Sequence, residues 1–341
     1  MSRFVSNSIA KMAPALMAAF CLSASVWVVA DYYQGSKFGT DFAVYWRTAN
    51  LPLHKTYAPH WRWPFPYMPT MLLWITPLKF ANLLQAYLLW LALSGTVFYL
   101  ACRHYLSATG AVLALIYPPV VKGLLTGQVV AVIASIILWS GRTSNRLAAG
   151  VGFGVVASIK PQLVIMAPLM LLLRRDWQAI VAAGATFVIL VLVSVPLFGA
   201  DRWSEWLGSM AHFHHAVVDT SVITGGASPA IAALRWGLPP LPFLLLGIAG
   251  GAWLVWHCRD RSDLERTSAM IAGSLLASPY AISYDLGLLA PFLACSVMNG
   301  RILPVLGVTT PHPIPLAVAV LTLARASWLR VSIRIRNLRA V

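Results

Sequence analysis

The feature that most constrains this chain is the recurrence of apolar runs from one end to the other. They fall at about 12–30, 67–80, 82–101, 108–122, 127–141, 147–159, 161–173, 179–199, 238–256, 267–281, 284–299 and 302–324. Of 341 residues, 59% are hydrophobic and only 10% charged, and the mean hydropathy is +0.74. Such spacing predicts a single polytopic membrane domain rather than a soluble domain on an anchor. In hydrocarbon every backbone N–H and C=O must find a partner. Helices achieve this locally, and no alternating barrel pattern is visible, so the expected fold is all-α.

The charge of +15 does not point to nucleic acid. Basic residues sit in short connections between apolar runs: Arg142 and Arg146, Arg174 and Arg175, the stretch 257–266, and a tail over 325–341 with five arginines and no acid. That is the positive-inside pattern, with these connections and the tail on the cytoplasmic face and anionic lipid as their partner. The run from Met12 to Ala30 follows Arg3 and Lys11 and is read as a retained first helix that leaves Asp31 outside. Cys21, Cys102, Cys258 and Cys295 form neither a disulfide framework nor a metal spacing. No metal and no cofactor are expected.

Several runs hold only about 12 to 16 residues, short for a hydrocarbon core of ~30 Å. They meet at polar or proline breaks, "SIKPQ" at 158–162, "SPYAISYD" at 278–285 and "TTPHP" at 309–313. Broken helices are tolerated where the freed backbone is buried or lines a wet cavity, so the breaks mark a candidate cavity. We expect roughly ten to twelve spans, with 67–101 either a true loop or a re-entrant turn at Pro77 and Lys79. Two hydrophilic stretches, 31–66 and 200–236, fall on the outer side. In the second, Trp203, Trp206, Met210, Phe213 and Val217 recur at helical spacing, as in a helix lying in the interface with its tryptophans toward lipid.

The chain has ten acids. Asp176, Asp260, Asp263 and Glu265 lie in the basic connections. A carboxylate acting at the outer face must come from Asp31, Asp41, Asp201, Glu205, Asp219 and Asp285. Asp41 follows "GT" and precedes the helix-like "FAVYWRTA", in a stretch that also carries Lys37, Arg47, His54, Lys55, His60 and Arg62. It fits a helix cap and a positioned proton acceptor equally. The aromatics Phe42, Tyr45, Trp46, Tyr57, Trp61, Trp63, Phe65 and Tyr67 fit an interface belt or a sugar platform. Asp285 and Lys160, placed near membrane depth, either satisfy each other or mark a site. His212, His214 and His215 lack a nearby acid pair and read as interfacial histidines.

Six pieces occur in one order: "TDFAVYW", "PFPYMPTMLLWITPL", "LLTGQVVAVIASIIL", "GVVASIKPQLVIMAPLMLLLRRDW", "LFGADRWSEWL" and "ASPYAISYDLGLLAPFL". Together, over about 39–300, they resemble glycosyltransferase family 87, polytopic enzymes of GT-C architecture. The resemblance implies a polyprenyl-phosphate sugar as donor and a glycolipid or glycan hydroxyl as acceptor, on the outer side of a bacterial inner membrane. It implies inversion at the anomeric carbon with Asp41 as base, and a hexosyl or pentosyl unit, mannose first. Lys160, Arg47 and Arg62 are then candidates for the leaving phosphate, and Gln128 and Gln162 for sugar hydroxyls. Tyr284 and Asp285 match the family's "YD" pattern, and Tyr45, Trp46 and Tyr67 offer an acceptor surface. Ser228 and Pro229 match more loosely. Tyr67-Met68-Pro69 replaces the usual Tyr-Pro-Pro, and Ile159 stands where relatives often carry Tyr or Thr. The alternative from the residues alone is a transporter or flippase of a lipid-linked sugar, which broken helices and a buried Lys160 and Asp285 would also serve.

Overall fold

A computed structural model describes residues 2–58, 65–219, 221–301, 303–306 and 316–325. Arg62, His60, Trp61, Trp63 and the basic tail from 326 onward lie outside the described residues. The described chain is all-helical, with one isolated antiparallel bridge between Gly226 and Ile282. The helices are α1 Ser2–Gln34, α2 Thr40–Asn50, α3 Leu72–Ile75, α4 Leu83–Arg103, α5 Ala108–Leu115, α6 Pro118–Thr126, α7 Val130–Arg142 and α8 Arg146–Ile159. They continue with α9 Ala167–Leu173, α10 Trp177–Phe198, α11 Asp201–Val218, α12 Pro229–Arg235, α13 Pro240–His257, α14 Asp263–Leu276, α15 Ala290–Met298 and α16 Leu303–Leu306.

Local chemistry sets the boundaries. Asn82, Ser107, Asn145, Asp176 and Ser262 each accept a backbone N–H in the first turn of α4, α5, α8, α10 and α14. In the last, Ser262 Oγ donates to Glu265 Oε2 at 2.8 Å. Pro118 starts α6 after a 61° bend from α5. Pro161 forces the residue before it out of the helical region, so α8 stops and Lys160 turns extended (φ −145°, ψ 74°).

Four helices are long and apolar enough to cross a membrane alone: Met12–Gln34 within α1, then α4, α10 and α13. The bent pair α5–α6 makes a fifth if it is one span. The chain is thus a polytopic membrane protein, but fewer segments qualify by length than the ten to twelve spans expected. The difference lies in the shorter helices, among them α7 and α8, which at 13 and 14 residues reach only ~20 Å, and α9 and α14, at 7 and 14 residues.

The bundle nevertheless has two polar ends. Arg142 stacks over Tyr105 with Asp263 and Arg266 nearby, and Arg174 faces Arg266, Asp176 and Arg146, so the basic connections meet at one end. The other end gathers α2, α11 and the segment 278–285. Among the described residues the chain passes between these ends in α1, α4, α5–α6, α7, α8, α9, α10, α13, α14 and the stretch 283–298.

The ambiguous segment 69–80 does not make that passage. Thr70 donates to the Ser158 carbonyl near the end of α8, and the Ala81 carbonyl accepts Trp46 Nε1 at 2.9 Å from α2, so it enters and leaves at the same end. It is re-entrant. The stripe on α11 also differs from expectation. Trp203 donates to Ser194 Oγ (3.2 Å), Trp206 to the Pro66 carbonyl (3.2 Å), and Phe213 packs on Tyr280, so these rings turn toward protein rather than lipid. Arg202, which donates to the Leu53 carbonyl at 2.5 Å, ties the same helix to the first loop.

Candidate active site

The site forms where α2, the C-terminal turn of α6, the break after α8 and the 3-10 stretch Ser283–Leu289 converge. Two glycines permit that approach. Gly39 (φ +64°) precedes α2 and donates its N–H to the Leu125 carbonyl at 2.8 Å. Gly127 (φ +78°) ends α6, and a Cβ there would lie 2.4 Å from Phe42 Cβ. The pair seats α2 directly on the end of α6.

Asp41 occupies the first turn of α2, where the helix N-terminus favours a negative charge. It is not the cap residue, which is Gly39. Its partly buried carboxylate instead lies beside the side chains of Gln128 and Thr126, with Lys160 and Lys122 as the nearby cations, while the Thr126 hydroxyl itself donates to the Lys122 and Gly123 carbonyls at 3.2 and 3.3 Å. Burial outweighs these partners and raises its pKa above the usual carboxylate value. A carboxylate held in place and made more basic is suited to accepting a hydroxyl proton.

Gln128 fixes that geometry. Its Oε1 accepts from Tyr45 at 3.0 Å and from Tyr67 at 3.1 Å, while the two phenols lie 2.8 Å apart. The amide oxygen being occupied, the NH2 is the end left for Asp41. Two hydroxyl protons serve three close contacts, so one contact in this triangle always lacks a proton. Tyr57 donates to the Tyr67 carbonyl at 2.9 Å and anchors the group to the first loop. Burial holds Tyr45 and Tyr67 well above the usual phenol range, so both stay neutral donors.

Lys160 and Asp285 satisfy each other. Lys160 Nζ lies 2.6 Å from Asp285 Oδ1, with the side chains 9% and 2% exposed, and 5.1 Å from the centre of the Tyr284 ring. The second carboxylate oxygen accepts the Ile282 N–H at 3.0 Å. Pro161 and the break at 278–282 thus deliver two groups of opposite charge to one point. An apolar gap of about 10 Å³, the room of one water, adjoins them between Phe98, Val120, Gly123, Ala134, Tyr284 and Gly287.

Of the residues read from the sequence, Asp41, Tyr45, Tyr67, Gln128, Lys160, Tyr284 and Asp285 come together here. Trp46 is half-buried with its N–H spent on Ala81, and so docks α2 rather than presenting a surface. Arg47 lies six residues past Asp41, is exposed, and projects from another face of α2. Gln162 is partly buried in the turn Pro161–Leu163 and is not hydrogen-bonded to this group. Ser228 sits behind the break, where its Oγ accepts the Ala281 N–H at 3.3 Å. Sequence reasoning missed Thr126, Ser283 and Lys122, whose Nζ donates to Ser283 Oγ at 2.7 Å. The signal for Lys122 was present: a lone lysine in the apolar "YPPVVKGLLTG" breaks the same rule that singled out Lys160.

These features define a polytopic all-helical membrane protein with an acid, a buried ion pair and a tyrosine–glutamine cluster at one polar end. The chain belongs to glycosyltransferase family 87, whose family model matches residues 65–279. It is also 26% identical, over 180 residues, to an alpha-(1->3)-arabinofuranosyltransferase of Mycobacterium tuberculosis, found in two strains. That similarity covers 49% of this chain and 39% of the relative, so the chain matches well under half the length of these curated proteins. No solved structure matches. The family match begins after α2, so Asp41 enters the site through the fold and not through the matched stretch.

Proposed function

We propose that this protein is a membrane glycosyltransferase that moves one sugar from a polyprenyl-phosphate donor to a hydroxyl of a glycolipid or glycan. Asp41 takes the hydroxyl proton. The hydroxyl oxygen forms a bond to the anomeric carbon from the face opposite the phosphate, and the bond from that carbon to the phosphate oxygen breaks, its electron pair leaving with polyprenyl phosphate. The anomeric configuration inverts. No metal or cofactor takes part in this scheme.

The observation that carries the reading is Asp41 set at the start of α2 beside Gln128, Thr126 and two lysines. Tyr45 and Tyr67 orient Gln128, and the Lys160–Asp285 pair fixes the floor. The sugar is a hexose or a pentose. Mannose is the first candidate from the sequence motifs, and the similarity to an arabinofuranosyltransferase supports testing a pentofuranosyl donor beside it. We place the protein in a bacterial inner membrane, with this end facing outward and the basic connections in the cytoplasm.

The test is product analysis. Purified protein given radiolabelled polyprenyl-phosphate mannose or polyprenyl-phosphate arabinofuranose, with a glycolipid acceptor, should release polyprenyl phosphate and form a new glycosidic bond of inverted configuration. Movement of intact donor across a proteoliposome membrane with no new bond would instead establish a transporter.

A further inference from the structure

Two lysines lie near Asp41, and they differ in what they touch. Lys160 is spent on Asp285 at 2.6 Å in a nearly sealed, charge-balanced pair. Lys122 has only the Ser283 hydroxyl, at 2.7 Å, and no carboxylate at ion-pair distance among the described residues. Its ammonium carries three N–H donors, and the hydroxyl uses one. It is half-buried in the last turns of α6, four residues before Thr126 and six before Gln128, both of which lie beside Asp41. The backbone keeps it there: α6 and the stretch Ser283–Leu289 pack closely enough that a Cβ on Gly287 would lie 3.1 Å from Val120.

A cation in an apolar helix, with donors to spare and a carboxylate nearby that does not neutralise it by contact, is costly unless something anionic visits it. The other acid at this end closest in sequence, Asp31, is already paired with Lys37 at 2.8 Å.

We propose that Lys122, seated by Ser283, is the residue that binds the phosphate of the lipid-linked donor, while Lys160 serves as a positioning residue locked to Asp285. The assignment rests on the reading of the site as a polyprenyl-phosphate-dependent transferase. It adds a chemical reason for the cation's place: as the bond to the anomeric carbon breaks, the phosphate gains one negative charge, and unused ammonium donors in a low-dielectric site stabilise it. Inversion requires the phosphate to leave from the face opposite the hydroxyl that Asp41 deprotonates.

The test is binding of polyprenyl phosphate and of the uncharged polyprenol to purified protein in detergent. Wild type should bind the phosphate at least tenfold more tightly than the alcohol. Lys122→Met and Lys122→Gln should each lose that preference while binding polyprenol as before, and Lys122→Arg should keep most of it. Ser283→Ala should lose a few-fold. Unchanged phosphate affinity in folded Lys122→Met or Lys122→Gln, or an equal loss for both lipids, would overturn the assignment alone. Wild type that shows no preference for the phosphate would overturn it together with the donor class it rests on.

Discussion

Lys160 and Asp285, 125 residues apart in sequence, meet at 2.6 Å and close the end of α8 onto the 3-10 stretch that opens at Ser283. Each sits at a proline-bearing break, Lys160 immediately before Pro161 and Asp285 six residues after Pro279. A backbone bent out of its helix exposes peptide groups that must be satisfied. Asp285 does part of this by accepting the Ile282 N–H, and Lys160 neutralises the charge that results. The pair is therefore a clasp between two breaks.

Breaking such a clasp on one side should cost more than removing it. Lys160→Met and Asp285→Leu are each expected to destabilise the protein by about 3–5 kcal/mol, because each leaves a buried charge without its partner. The double variant should recover a large part of that loss. Thermal unfolding in detergent measures all three, and purely additive effects would show that the two residues do not act as a pair.

Gly127→Ala should weaken the site without touching any polar group. The new Cβ meets Phe42 at 2.4 Å and the residue must hold φ +78°. Strain of about 1–3 kcal/mol is expected, relieved by a shift of α2 that moves Asp41 off Gln128. Transfer activity should fall more steeply than thermal stability.

Gln128→Leu should lower kcat strongly and KM little. It takes the shared acceptor from Tyr45 and Tyr67 and removes the amide from beside Asp41. The two phenols still have each other at 2.8 Å, so one buried hydroxyl proton is left without an acceptor, at a cost of about 1–3 kcal/mol. Gln128→Glu should not rescue, since a second carboxylate beside Asp41 raises its pKa further and supplies no N–H.

Much of this was legible in the sequence, and the limits are physical. The apolar runs gave the membrane class, and "SIKPQ" and "SPYAISYD" gave the breaks, because proline geometry is local. Asp41, Lys160 and Asp285 stood out because charges are scarce in such a chain. Whether 69–80 crosses the membrane depended on tertiary contacts of Thr70 and Ala81, which no local pattern encodes. The face of α11 is not legible for a related reason: a tryptophan stripe fits lipid and protein equally until Pro66 and Tyr280 are in place. The role of Gln128 as the hub of a tyrosine pair required three segments to converge.

Activity should fall on the acid side at a higher pH than an ordinary carboxylate would give. The base works only ionised, burial raises its pKa, and Lys122 opposes the rise. As pH drops through that raised value, Asp41 takes a proton and turnover stops. Lys122→Met removes an opposing positive charge, so the acid limb of kcat should move to still higher pH. A limb that stays in place would place the titrating group elsewhere.

The most direct test is single-turnover sugar transfer by Asp41→Asn, with polyprenyl-phosphate binding measured on the same preparation. The substitution keeps the shape of the side chain and removes its ability to take a proton. The expected result is folded protein that binds the donor lipid nearly as wild type and transfers sugar about 10²–10⁴-fold more slowly. Transfer at the wild-type rate would contradict the account, since no proton would then pass through the residue around which this site is built.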